Sequence, residues 1–235
     1  MALLRVQPSN AHETQFDVVD PTTDLAAMRA LFPVVIQAAQ RLHTDTALAD
    51  QLKDALAKQP PFPRTNLSSP GTLQPPSVDF KAEDILAFSS RPEAKLWNIE
   101  NISLEPVWPF GVIGDASPMF ELGRQTFANR PNVCQADWSF DPIQAARLDL
   151  GSEVAKTLVC VTEKYQTHIN GLAHWSPDKS HQFFVEQVAV VADALQQALV
   201  QDYDGLIRIA PAIPPDWDFD GSVFVRGGTK VMVFP

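Results

Sequence analysis

His12 and Glu13 stand side by side near the start of the chain, in MALLRVQPSNAHETQFDVVDP. A carboxyl beside an imidazole is a proton-transfer pair in kind, because each charge moves its neighbour's ionisation. The plainer reading of His12 is a solvated loop histidine. A second carboxylate, Glu186, opens the run VEQVAVVADALQQALVQ. A helix dipole favours an acid in the first turn. Val185, Val188, Val190 and Val191 nevertheless predict a helix buried on most sides, where a carboxylate costs energy unless it is paired or used. His174 and His181 precede Glu186 and carry ring nitrogens able to bind a hydroxyl.

These groups need elements to hold them. Leu3, Leu4 and Val6 read as a short strand that needs covering, followed at once by Pro8-Ser9-Asn10 and the His12–Glu13 pair. DPTTDLAAMRALFPVVIQAAQRLH reads as a helix with Asp20 as its cap and Pro21 in its first turn. Leu25, Met28, Leu31 and Phe32 form its inner face, and Pro33 is expected to kink or break it. DTALADQLKDALAKQ is a second amphipathic helix with Leu48, Leu52, Ala55 and Leu56 inward. Residues 59–78, rich in proline and serine, read as an irregular surface loop. Helical patterns resume at ASPMFELGRQTFAN, DPIQAARLDL and GSEVAKTLVCVTEKYQTH, and then at the run from Val185. After Gly205, LIRIAPA is strand-like, and SVFVR and TKVMVF flank Gly227-Gly228 as a hairpin. The expected architecture is a series of helices closed by a small β element.

Composition bounds the chemistry. The 235 residues are 45% hydrophobic and 20% charged, the balance of a globular protein. A net charge of -10 with no basic stripe argues against nucleic acid or an anionic membrane as partner. No stretch has the length and apolarity of a membrane helix. The start of the chain lacks the pattern of a secretory signal, so that read literally the chain stays inside the cell. Cys160, in TLVCVTE, reads as a buried thiol, with a Cys134–Cys160 disulfide as the alternative, and neither cysteine has metal-site spacing. Two Asn-x-Ser triplets, at Asn66 and Asn101, hint at a secreted ancestry. There is no phosphate loop, no paired-histidine metal motif and no Gly-x-Ser-x-Gly elbow.

In order along the chain, five stretches resemble glycoside hydrolase family 95, the inverting α-L-fucosidases. PSNAHE looks like that family's Pro-Ser-x-Ser-Pro-Glu segment, and DPTTDLAAMRALFPVVIQAAQRL is similar to the helix after it. ISLEPVWPF resembles its His-x-Ser-His-Leu-x-x-x-Tyr-Pro stretch without the histidines, and DWSFDPIQAARL resembles its Gly-Trp-Ser helix. The block from Phe183 to Val233 resembles its C-terminal part, where an Ile-Asp-Gly-Asn helix leads to a Leu-Pro-Ala-Leu-Pro-x-x-Trp turn and a β segment. Residues 59–95 are the poorest part of the match.

The resemblance implies a mainly α fold: an incomplete (α/α)6 barrel of the six-hairpin glycosidase kind over 1–205, then a β segment over 206–235. The chain would begin partway through that barrel, whose missing N-terminal part is the partner it implies. Glu13 falls on the general acid. Glu186 falls where the family has an aspartate that helps to position the attacking water, one methylene longer here. Two asparagines that hold this water in the family belong to a part of the barrel not present in this chain. Inversion leaves room for a water, so the two carboxyl groups are expected roughly 6.5–9.5 Å apart, with the acid shielded so that it keeps its proton.

Carbohydrate is the implied substrate, with no cofactor and no metal. Tryptophan faces pack on sugars. Of Trp97, Trp108, Trp138, Trp175 and Trp217, Trp138 and Trp175 are the candidates to line a subsite, with His174 and His181 as hydroxyl partners; Trp217, in PPDWD, reads as structural. Family members are often secreted, although this chain shows no signal peptide. Two rival readings stand beside the fucosidase. One is a catalytically incomplete remnant that binds carbohydrate or a protein. The other is α-L-galactosidase or another glycosidase specificity on the same barrel. A further expectation is an exposed apolar patch that includes part of Leu3–Val6 or the helix from Val185.

Overall fold

The computed structural model describes residue 5 and residues 9–77, 79–174 and 183–234. Leu3, Leu4, Val6, Trp175 and His181 lie outside the described residues. The protein is mainly helical, with small antiparallel sheets, and divides into two compact units, residues 1–131 and 132–235.

In the first unit, α1 (Thr22–Leu42) and α2 (Thr46–Ala57) form a helical hairpin. Ile36 and Ala39 meet Ala49, with Leu52 and Leu56 alongside. The small alanines let the helices approach closely. The inner faces differ from the expected ones: Leu31 and Leu48 are exposed, and the buried set of α1 is Leu25, Ala26, Ile36 and Ala39. Pro33 neither breaks nor ends α1. Packing before it at Leu25 and Ala26, and after it at Ile36 and Ala39, holds both halves in helix across the lost hydrogen bond. Asp20 is not the cap. The flanking residue is Pro21, and the first turn is tied instead by Thr22, whose amide donates to Phe88 O (2.9 Å) and whose hydroxyl donates to Ala87 O (2.6 Å).

The proline-rich stretch is a surface loop only from Leu67 to Ser77. Before that, β1 (Arg64–Asn66) pairs with β2 (Asp84–Leu86), register Arg64↔Leu86. A buried ion pair decides this: Arg64 Nη1 lies 2.9 Å from Asp84 Oδ2, and the same guanidinium donates to the carbonyls of Pro75, Ser77 and Asp79. Such a cation satisfies several loop carbonyls at once, which composition does not show. The short α3 (Phe120–Ala128) packs on β2, where Thr126 Oγ1 accepts from the Leu86 amide at 2.9 Å.

In the second unit, α4 (Asp141–Arg147), α5 (Gly151–Tyr165) and α6 (Glu186–Leu199) pack together, and every residue of α4 is buried. The two-residue strands β3 (Ala173–His174) and β4 (Phe183–Phe184) pair ahead of α6. The helix ends sooner than its pattern suggests: Val200–Tyr203 is strand β5, paired with β6 (Leu206–Ile209) across Asp204-Gly205, both with positive φ. The Gly227-Gly228 hairpin forms as read, with β7 (Gly221–Val225) against β8 (Thr229–Val233). Val200, Val225 and Val231 make its core. α6 is not buried all round. It buries Gln187, Val190, Ala194 and Ala198, one stripe at helical spacing, and leaves Val185 at 70% and Val188 at 39% exposure. Its apolar outer face has no cover among the described residues.

Cys134 and Cys160 are joined in a disulfide across 26 positions, so Cys160 is not a free thiol. Val161, Tyr165 and Ala173 pack around the bridge. Gly151 begins α5 where a Cβ would stand 2.6 Å from the Ile213 carbonyl oxygen and 3.2 Å from that of Ala212. These are backbone atoms and cannot swing aside. Gly151→Ala is therefore expected to lower stability by about 2 kcal/mol, read as a fall in the urea midpoint at unchanged slope.

Candidate functional site

Residues 9–18 form a closed loop at the entry to α1. Its base is a two-bond bridge between Ser9 and Val18, 3.0 Å in each direction. Ser9 Oγ, which donates to Asp24 Oδ2 at 2.6 Å, ties the loop to α1. Gln15 is buried and reaches Ala94 O at 3.1 Å, and the Trp97 amide donates to Thr14 O at 2.9 Å. At the tip, three consecutive residues are left-handed: Ala11 (φ 38), His12 (φ 55) and Glu13 (φ 59). Non-glycine residues avoid that region, at a cost on the order of 1–3 kcal/mol each. The tip holds them there because both ends of the loop are anchored.

Glu13 is exposed rather than shielded, and so is His12. The His12 ring is fixed: Nδ1 lies 2.9 Å from Glu105 Oε1 and 3.8 Å from Glu100 Oε2. Glu105 is buried, and its other oxygen accepts from Thr23 Oγ1. Glu100 accepts from Thr14 Oγ1 at 3.2 Å and Asn98 Nδ2 at 3.1 Å. The His12 pKa is pushed from 6.5 up to about 9, first by its hydrogen bond to Glu105 and then by the charges of Glu100, Glu105 and Glu13; burial opposes the rise. Burial raises the Glu100 carboxyl, partly offset by His12. Glu105 and Glu100 were not singled out from sequence. The one available signal was Glu105 itself, an acid set among Leu104, Pro106 and Val107.

Because the folded-state pKa of His12 is the higher one, its stabilisation is complete below pH 6.5 and is lost as pH rises through about 9. Half of its side chain is open to solvent, so screening limits the effect to about 1 kcal/mol. Urea midpoints of the wild type should fall between pH 6.5 and 9.5 relative to those of His12→Gln. A constant difference across that interval would show that His12 carries no such charge.

Beside the loop, Trp97 is 63% exposed, with Phe16 packed edge-on at 6.2 Å between ring centroids and Lys95 Nζ over its ring at 3.4 Å. Its exposed part lies beside the loop, to which its amide is bonded at Thr14, and it is not one of the two tryptophans favoured from sequence.

The second unit holds the other candidates. Glu186 begins α6 and is exposed, not set in a buried helix as expected, because the buried stripe starts one residue later at Gln187. Trp138 is half-buried, 5.9 Å from Phe184 between ring centroids. His174 stacks on His168 at 3.6 Å, and its Nδ1 is buried with no hydrogen-bond partner among the described residues. Asp137, not singled out from sequence, is fully buried next to Trp138. Burial pushes its carboxyl up to about 7, the nearby Trp138 and Asp137 amides oppose this, and the charge of Glu186 adds to the rise. Burial also pushes Tyr165 up to about 12, with a contribution from Asp137. The described residues contain no cluster of His, Cys, Asp or Glu arranged to hold a metal ion.

Each unit thus holds groups capable of proton chemistry: His12, clamped by Glu105 beside Glu13, in the first, and the buried carboxyl of Asp137 in the second. No protein-family model matches the chain, and no curated protein matches it.

Proposed function

We propose that this chain is part of a glycoside hydrolase, an inverting enzyme of the α-L-fucosidase kind built on an incomplete (α/α)6 barrel. The observation that carries the reading is the left-handed run Ala11-His12-Glu13. Strain of this kind persists where the surrounding structure enforces it, and it clusters at working sites. Here it presents the carboxylate that the resemblance assigns to the general acid.

The surroundings suit the chemistry. Glu100 and Glu105 set two acids against the one imidazole of His12, beside Glu13. Net negative charge stabilises the oxocarbenium-like transition state of glycoside cleavage. Trp97, exposed beside the loop, is an aromatic side chain of the kind on which sugars pack. In this mechanism Glu13 gives its proton to the departing glycosidic oxygen. His12, oriented by Glu105 through Nδ1, is the ring whose Nε2 binds a sugar hydroxyl.

The test is hydrolysis of an aryl α-L-fucoside by the natural full-length protein, with the first-formed anomer followed by proton NMR. Inverted β-L-fucose appearing first supports the reading; retained α-L-fucose overturns it. Turnover of the matching α-L-galactoside alone would move the specificity and keep the mechanism. A second reading, a non-catalytic remnant that binds a partner, rests on the exposed apolar residues of α1 (Leu31, Val34, Val35 and Leu42) and of α6. It is the outcome if a folded full-length protein turns over no glycoside.

A further inference from the structure

Arg29 is a cation whose charge the protein does not answer. It stands half-buried on α1, with its guanidinium carbon 3.9 Å from the centre of the buried Phe62 ring. Its Nε donates to Gln59 Oε1 at 3.1 Å, and its Nη2 donates to Pro60 O at 2.6 Å. Gln59 is itself oriented, because its Nε2 donates to Leu25 O at 3.4 Å. These acceptors are neutral. They fix the guanidinium fork and leave its charge uncompensated. Among the described residues no carboxylate forms an ion pair with Arg29, and its Nη1 bonds to none of them. Burial of a cation without a counter-charge is costly unless something else supplies one.

Arg29 lines a cavity of about 530 Å³ within the first unit, in the size range that takes a small molecule. Pro61 and Phe62 enter it from the segment between α2 and β1, Pro76 and Phe80 from the loop before β2, and Pro118 and Met119 from the approach to α3. Prolines have no rotamers to lose, so much of this wall is preorganised. Arg64 also lines the cavity but adds no net charge. Its Nη1 lies 2.9 Å from Asp84 Oδ2, and its Nη groups are taken up by the carbonyls of Pro75, Ser77 and Asp79. Gln59 and Ser77 are the remaining polar lining. Arg29 is therefore the one unneutralised charge at an otherwise apolar wall.

Such a cavity is complementary to a ligand with one negative charge on an apolar body. The cation decides among anions. One guanidinium balances one charge, which disfavours a dianionic phosphate, and its planar fork matches a planar carboxylate. Flat proline and phenylalanine walls suit a ring. We propose that this cavity binds an aryl carboxylate, with the carboxylate paired to Arg29 and the ring among Pro61, Phe80 and Pro118. The proposal needs nothing from the glycosidase reading, and no lining residue belongs to the loop of His12 and Glu13.

The experiment is isothermal titration calorimetry of the full-length protein with 2-naphthoate and with 2-naphthamide, its neutral counterpart of the same shape. The charge-assisted bond should make the acid bind about tenfold tighter than the amide, or more. Arg29→Gln should abolish that preference and leave the amide within about twofold of its wild-type affinity. Met119→Trp keeps the cation, adds bulk at the cavity wall and should weaken both ligands about tenfold. If Arg29→Gln fails to give the wild-type circular dichroism spectrum, Arg29→Lys carries the charge test. It keeps the cation without the fork, and should weaken the acid severalfold and spare the amide. Equal binding of acid and amide, or acid binding indifferent to the Arg29 variant, leaves Arg29 as a tie between α1 and the loop and overturns the proposal. Acid binding indifferent to Met119→Trp overturns the cavity as its place. No binding of either ligand overturns the site, and 2-naphthyl phosphate binding tighter than 2-naphthoate overturns the ligand class.

Discussion

Glu13→Gln should slow hydrolysis of a fucoside with a poor, alkyl-type leaving group by about 10²–10⁴-fold, the usual contribution of a positioned general acid. The amide fills the same space and keeps a hydrogen bond, but has no proton to give. An activated aryl fucoside, whose departing oxygen needs little protonation, should lose far less. The left-handed tip makes this a clean comparison, because Gln tolerates Glu13's backbone angles about as well as Glu does. Equal losses on both substrates would remove Glu13 from the acid role. His12→Gln in the same assay should raise KM more than it lowers kcat, since the ring is held to bind and not to donate to the leaving group.

Loss of the Cys134–Cys160 bridge should cost the second unit about 3.5 kcal/mol, the loop-closure entropy of 26 residues. For a chain of this size that corresponds to a fall in Tm of about 10 °C. A Cys134→Ala/Cys160→Ala double variant and a reductant-treated wild type should agree. Because the bridge also holds the segment of Asp137 against α5, its loss should lower the pH at which the buried carboxyl releases its proton, as water gains access. A Tm insensitive to reductant would mean that the packing of Val161, Tyr165 and Ala173 holds this region without the bridge.

Local chemistry in the sequence was enough for the helices, the Gly227-Gly228 hairpin and the His12–Glu13 candidate, since periodicity, glycine at positive φ and adjacent residues are short-range facts. Which face of a helix is inside is not short-range. Leu31 and Leu48 carry the apolarity of core residues, yet the two helices meet through Ala39 and Ala49, because close approach selects small side chains over large ones. The run after Val185 reads as buried throughout, but burial needs neighbours, and only the stripe from Gln187 to Ala198 has them.

The candidate sites show the same division. Sequence marks Glu13 and Glu186 as carboxylates worth attention, but not the groups around them. Glu105 reaches His12 across 93 positions, and the disulfide brings the segment of Asp137 to α5. Charge acts through space, at a range of a few ångströms, and the chain's order along its length carries no distance between residues so far apart. What the sequence determined by itself is the inventory of acids, imidazoles and aromatic faces and the local shapes that carry them. Only the tertiary structure decided which acid lost its water, which imidazole found a buried counter-charge, and which tryptophan stayed open, because desolvation and pairing are properties of the packed surroundings.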